Sequence, residues 1–210
     1  KLNQNITPHF TRVPGAPTIL KRRFLEEYLA AKLFEVYVMR NDALPKPVEA
    51  ALLQNLERLI PEYDAVVVAD YGHGLMTERA QRLACEKARF LAVNTQVNAG
   101  NRGFNTISKY PRADFISLGE PEVRLDARQL NADMGQLTEA LARKMKTRQL
   151  LVTRGSSGCL IHDDKQGLFH VPAFAIRVVD RLGAGDAVLG LTAPCAALGV
   201  PAQALGFIAN

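Results

Sequence analysis

From Pro47 onward the apolar positions of the chain switch repeatedly between two spacings. Val48, Leu52, Leu56 and Leu59 recur at three- and four-residue steps, the stripe of an amphipathic helix, and Pro61-Glu62-Tyr63-Asp64 ends it. Ala65-Val66-Val67-Val68-Ala69 follows as an unbroken apolar run, the pattern of a strand buried on both faces of a parallel sheet. The alternation then continues. A helix is predicted over Thr77–Ala88 with Thr77 as its N-cap, and a strand at Phe90-Leu91-Ala92-Val93. Asp114–Leu118 predicts a third strand, Met134–Met145 a helix, and Gln149–Thr153 a fourth strand. Cys159-Leu160-Ile161 and Phe169–Pro172 predict a hairpin, and Asp186–Leu198 a last long helix. Strands alternating with helices imply an α/β fold whose parallel sheet is covered on both faces. The first forty residues differ: Thr18–Phe24 and Lys32–Met39 predict two strands joined by Leu25–Ala31, a β-flap over residues 18–39. No Pro- or Ser-rich linker divides residues 1–210, which read as one domain.

Each strand runs into a polar or glycine-rich stretch. These are Asp70-Tyr71-Gly72-His73-Gly74, Asn94–Asn101, Gly119-Glu120-Pro121-Glu122, Arg154–Gly158 and, after Val178-Val179, Asp180–Asp186. In an open parallel sheet the ligand crevice lies outside the carboxyl ends of the strands, so five such loops point to one site. The last is the most specific. Gly183, Ala184 and Gly185 are small enough for backbone N–H groups to approach an anion, and they lead into a helix start, where unpaired N–H groups favour negative charge. Such a nest suits a phosphoryl group in transit, and Asp186 beside it could take the proton of an attacking hydroxyl. The bland alternative is that the glycines turn the chain and Asp186 caps the helix. Other chemistries lack their patterns. There is no G-x-x-x-x-G-K-[ST], no G-x-G-x-x-G and no G-x-S-x-G. His9, His73, His162 and His170 show no metal spacing, and only His73 stands at a strand end.

Charge and composition narrow the partners. A net charge of +5 favours anionic ligands, but the basic residues are scattered apart from Lys21-Arg22-Arg23, and aromatics are few. A phosphorylated small molecule therefore fits better than a nucleic acid. No apolar run approaches the ~18–20 residues that cross a bilayer, so no membrane partner is expected. Cys85, Cys159 and Cys195 are widely spaced, as in reduced thiols of a cytoplasmic protein.

Three segments resemble one known family. Asp180-Arg181-Leu182-Gly183-Ala184-Gly185-Asp186 resembles the D-x-x-G-A-G-D signature of the ribokinase, or PfkB, carbohydrate kinases. Val152–Cys159 resembles their V-T-x-G-x-x-G nucleotide loop. Val68–Gly74 is similar to the D-Y-x-K-G segment of the heptose-phosphate kinase branch, the kinase half of bacterial bifunctional heptose kinase/nucleotidyltransferases. The resemblance implies a ribokinase-like three-layer αβα domain and ATP-dependent phosphorylation of a hydroxyl on a sugar or sugar phosphate. It implies Asp186 as general base and Gly183, Ala184 and Gly185 as the anion hole. Thr153, Gly155, Gly158 and Asn210 would lie along ATP, and Asp70 and His73 toward the substrate. Glu122 would organise Mg²⁺, and Asp180 would stand near a monovalent-cation site. Lys21, Arg22, Arg23 and Lys32 are candidates to meet a sugar phosphate, and the flap is a candidate homodimer contact.

The departures are specific. Gly119 replaces the asparagine of the family's N-x-x-E motif, and Asn94-Thr95-Gln96 replaces the D-P-K of heptose kinases, with Arg102 as a stand-in for the missing lysine. His73 replaces the lysine of D-Y-x-K-G. Pro194 falls inside the last long helix, where it costs ~3 kcal/mol and predicts a kinked or shortened helix. The family's opening strand and sugar-binding glycine motifs do not precede Lys1, and no H-x-G-H motif of a fused nucleotidyltransferase is present, so the sequence is expected to be an internal portion of a kinase. Gly119 and Asn94 keep a second reading open, a kinase-like nucleotide-binding module that no longer transfers phosphate.

Overall fold

The computed structural model describes residues 3–26, 32–40, 42–98, 100–174 and 183–210. Its main body is a six-stranded sheet in the order β3-β4-β5-β6-β7-β8, formed by Val66–Asp70, Leu91–Thr95, Phe115–Gly119, Gln149–Thr153, Cys159–Asp163 and Gly167–Val171. The first four strands are parallel, and β7 and β8 add an antiparallel hairpin. A separate two-stranded antiparallel sheet pairs β1 (Leu20–Leu25) with β2 (Lys32–Val38), which is the predicted flap.

The strands are buried because successive side chains feed two cores. Leu91, Val93, Ile116, Leu118, Leu150 and Val152 point to one face, where they meet α1 (Lys46–Leu59), α2 (Glu78–Lys87), α3 (Glu120–Ala127) and α4 (Met134–Met145). Ala92, Phe115, Leu151 and Ile161 point to the other, against α5 (Ala184–Ala197) and α6 (Ala202–Ile208). Each fully buried Leu or Ile here contributes ~1.5–3 kcal/mol relative to exposure. The result is the expected three-layer αβα arrangement around a mostly parallel sheet. Thr77 caps α2 as anticipated, its hydroxyl accepting from the Ala80 N–H at 3.2 Å.

Two readings of the sequence need correction. Gly119-Glu120-Pro121-Glu122 does not form an open loop: α3 begins at Glu120, because a proline in the first helical turn costs no intrahelical bond. Pro194 does not shorten α5, which continues to Ala197. The proline falls in the last turn on the exposed side, one turn beyond the exposed Gly190, so the carbonyl it deprives of a partner is on the solvent side. Val178-Val179, Asp180, Arg181 and Leu182 lie outside the described residues, as does most of the β1–β2 connection. Among the described residues no helix is long and apolar enough to cross a membrane.

Candidate active site

The carboxyl ends of β3 to β6 and the start of α5 are joined by a series of polar contacts, and these define the site. At the end of β3, Asp70 is 4% exposed and fully engaged. Its Oδ2 accepts from Tyr110 Oη at 2.7 Å and from Lys109 Nζ at 2.6 Å, and its Oδ1 accepts from the Gly72 N–H at 2.8 Å. Burial, then the neighbouring Asp70 charge, pushes the Tyr110 phenol far above its ordinary range, so it is a permanent donor. Asp70 thus shapes the loop it starts.

That loop is latched to the next by amides. Asn105 Nδ2 donates to the Asp70 carbonyl at 2.8 Å and the Gln96 carbonyl at 3.0 Å. Asn98 and Asn101 both donate to the Tyr71 carbonyl, at 3.0 and 2.8 Å. Gly72 is required here: its φ is +69°, and a Cβ would lie 2.1 Å from Asn101 Nδ2. His73, stacked near Tyr71 at 6.1 Å between ring centroids, is held below its ordinary pKa by burial and by the charge of Lys21. It is therefore a neutral imidazole at pH 7. The flap reaches this point through its polar face: Tyr37 lies edge-on to His73 at 6.0 Å, with Lys21 over the Tyr37 ring. Lys21 and Arg23 share that face with Glu35, whereas the strand register puts Arg22 on the opposite face beside Val36. The side chain of Lys32 is outside the description. Arg102 is exposed and forms no ion pair among the described residues.

Asp186 is in the first turn of α5. Its Oδ1 accepts from Gln96 Nε2 at 2.6 Å, and the Tyr71 phenol is near enough to feel the charge of the carboxylate. Burial and the Asp186 carboxylate raise the pKa of that phenol. The first bond of the helix is Ala187 N–H to the Gly183 carbonyl at 2.9 Å, so the N–H groups of Ala184, Gly185 and Asp186 precede the helical ladder. Gly183 needs its glycine for φ +78°, and nothing lies within 4 Å of a Cβ built at Gly183 or Gly185. The space an anion would need is open.

The rim continues toward β6. Glu122 Oε1 accepts from the Val97 N–H at 3.3 Å, beside Gln96. Gly119 makes room for it, since a Cβ at 119 would lie 2.6 Å from Glu122 Oε2. Glu120 bonds Arg124 and reaches Arg154 at 3.2 Å, tying α3 to the loop after β6. The two Arg124 hydrogen bonds, opposed by burial and helped by Arg154, hold the Glu120 carboxyl below its ordinary range. In that loop Gly155 has φ +56° and open space, while Gly158 is packed against the backbone that follows β8. Asn210 donates to the Gly206 carbonyl at 2.8 Å and to Cys159 Sγ, next to Gly158. The structure thus gathers Gly183, Ala184, Gly185, Asp186 and Glu122 along one rim with the loops of Asp70, His73, Thr153 and Gly155. Asp180 lies outside the described residues.

Residues 13–210 match the sequence model described as pfkB family carbohydrate kinase. The chain belongs to that family. Among its relatives are the "Bifunctional protein HldE" of Nitrobacter hamburgensis, 30% identical over 203 residues, and that of Campylobacter jejuni, 28% over 208. These alignments take in 92% and 95% of this chain but 40% and 42% of the relatives, so the pfkB chain spans about two fifths of their length. Solved structures with the same fold include the tetrameric inhibited form of Escherichia coli phosphofructokinase-2, with a TM-score of 0.67 at 13% identity, covering 84% of this chain and 59% of that one. Arabidopsis thaliana ribokinase complexed with ribose and ATP gives a TM-score of 0.65 at 15% identity, over 93% and 61%.

Gln96, Tyr71 and the amide latch of Asn98, Asn101 and Asn105 were not singled out by sequence reasoning. The signal available was the density of amide side chains between Asn94 and Asn105.

Proposed function

We propose that this pfkB-family chain supplies the nucleotide loop, anion hole and general base of an ATP-dependent kinase. The γ-phosphoryl group passes to a hydroxyl of a sugar or sugar phosphate, with a heptose phosphate as the first acceptor to try. The observation that carries the reading is Asp186: an aspartate in the first turn of α5, behind an open Gly183-Ala184-Gly185 start and hydrogen-bonded at 2.6 Å to the neighbouring strand-end loop. In this reading the sugar hydroxyl lies against the free oxygen of Asp186, which takes its proton as the hydroxyl attacks phosphorus. The N–H groups of Ala184 and Gly185 stabilise the charge on the transferring group. A loose transition state leaves most of the work to positioning, so an aspartate that is a modest base suffices. Thr153, Gly155, Gly158 and Asn210 border the nucleotide. Neutral His73 offers hydrogen bonds to a sugar hydroxyl, and Lys21 on the flap offers the positive charge for a sugar phosphate.

Among the described residues no cluster of three metal-ligating side chains occurs. Glu122 nevertheless suits Mg²⁺ carried in by ATP, since that ion keeps waters and takes one or two carboxylates along with phosphates. One Glu122 oxygen is committed to the Val97 N–H and the other is available. When bound, the ion would neutralise phosphate charge. The monovalent-cation role assigned to Asp180 stays part of the proposal. The unpaired thiols of Cys85, Cys159 and Cys195 suit a cytoplasmic setting. Exposed Leu20, Phe24, Phe34, Val36 and Val38 on the outer face of the flap suit a homodimer contact.

The experiment is ATP-dependent phosphate transfer against a panel of sugars and sugar phosphates, with product mapping by NMR. Transfer to one phosphorylated heptose at one hydroxyl is expected. ATP binding without transfer to any acceptor would replace this reading with the nucleotide-binding module, and Gly119 and Asn94 would then be the changes to revert.

A further inference from the structure

Asp186 is exposed at the start of a helix, where its carboxylate could turn freely, yet a side chain from another loop holds it. Gln96 Nε2 donates to Oδ1 at 2.6 Å across 90 residues of sequence. Gln96 is itself fixed at both ends of its peptide unit. Its N–H donates to the Asp70 carbonyl at 2.9 Å, and its carbonyl accepts from Asn105 at 3.0 Å and Asn101 at 3.4 Å. Asp70 in turn is pinned by Tyr110 and Lys109. A continuous set of polar bonds, buried at Asp70 and exposed at Asp186, therefore runs from the end of β3 to the aspartate.

The donor is neutral. The described groups around Asp186 are Gln96 in contact, Tyr71 nearby, His73 stacked on Tyr71, and Glu122 bonded one residue beyond Gln96. The first turn of α5 adds no other charged side chain.

We propose that Gln96 is a positioning residue for phosphoryl transfer, orienting the Asp186 carboxylate so that its second oxygen faces the acceptor hydroxyl. This rests on Asp186 being the base.

The test uses Gln96→Met, Gln96→Glu and Gln96→Lys, each checked for wild-type thermal unfolding. Two readouts are taken: steady-state kinetics against pH, and the carboxyl ¹³C titration of Asp186, assigned with Asp186→Asn. Gln96→Met is expected to lower kcat about tenfold or more with KM for ATP unchanged, because a misplaced base slows only the chemical step. Gln96→Glu sets a like charge against Asp186 and moves its titration, and the acid limb of kcat, up by about one pH unit. Gln96→Lys moves both down by a similar amount. Unchanged kcat in Gln96→Met, or an Asp186 titration that ignores the charge at 96, overturns the proposal. Failure of the base assignment reads differently: Asp186→Asn would keep full activity while the titration still moved in opposite directions in the Glu and Lys variants.

Discussion

Gly155 and Gly158 belong to the loop after β6, proposed above to border the nucleotide; both have positive φ, and their substitution by alanine should have different consequences. Gly158 has φ +76° and ψ −136°. A Cβ there would lie 2.0 Å from the Val171 carbonyl oxygen, and 2.7 Å from both Ala173 N and Pro172 C. All three are backbone atoms, so no side chain can rotate away. The end of β8 would have to leave β7, to which it is paired at Cys159↔Val171. Forcing a side chain into positive φ costs ~1–2 kcal/mol, and overpacking of this kind adds ~1–3 kcal/mol. Gly158→Ala should therefore lose ~2–5 kcal/mol, a large share of the ~5–15 kcal/mol that holds a typical domain together. Gly155 has φ +56° with nothing within 4 Å of a Cβ, so Gly155→Ala should lose only the ~1–2 kcal/mol of the backbone term. It should instead weaken MgATP, because the added methyl stands in the space left for the nucleotide. Urea unfolding with linear extrapolation separates the stabilities, and calorimetry gives the affinity of the folded variants. A Gly158→Ala protein as stable as wild type would refute the packing argument. Unchanged MgATP affinity in Gly155→Ala would refute the assignment of the open space.

Two further outcomes follow from the polar network. Asp70→Asn leaves Lys109 without its carboxylate in a mostly buried setting and should cost about 3 kcal/mol in urea unfolding, with Tyr110→Phe costing less; a loss under about 1 kcal/mol would mean that Asp70 does not anchor its loop. Glu120 is held below its ordinary pKa by Arg124, so its contribution is present above the unfolded carboxyl value and is lost as pH falls through the lowered folded value; Glu120→Gln should lose about 1 kcal/mol at neutral pH and flatten the stability curve on the acid side, as read by unfolding at stepped pH.

The parallel strands were legible because each is an unbroken apolar run ended by a change in composition, and a buried strand admits little else. Val66–Asp70 and Gln149–Thr153 fall within a residue of their expected places. The glycine turn that opens α5 was legible because a positive φ such as the +78° of Gly183 favours glycine. What was not legible depends on distance along the chain. The amide of Asn105 acts on Asp70 and that of Gln96 on Asp186, at separations of 35 and 90 residues. Local composition carries no record of such pairings. The partners of the Asp70 carboxylate, Lys109 and Tyr110, lie well beyond the next strand and were equally out of reach of local composition. The helix at Glu120 was hidden by Pro121, which reads as a breaker in isolation and as a helix opener once β5 delivers the chain there.

The most direct measurement is single-turnover transfer of the γ-phosphoryl group from ATP to the acceptor found in the panel, comparing wild type with Asp186→Asn at saturating MgATP. Loss of a general base predicts a fall of about 10²–10⁴-fold in the transfer rate, with MgATP affinity retained. Transfer by the Asp186→Asn protein at the wild-type rate would contradict the account, since the aspartate behind the glycine loop would then be only a helix cap.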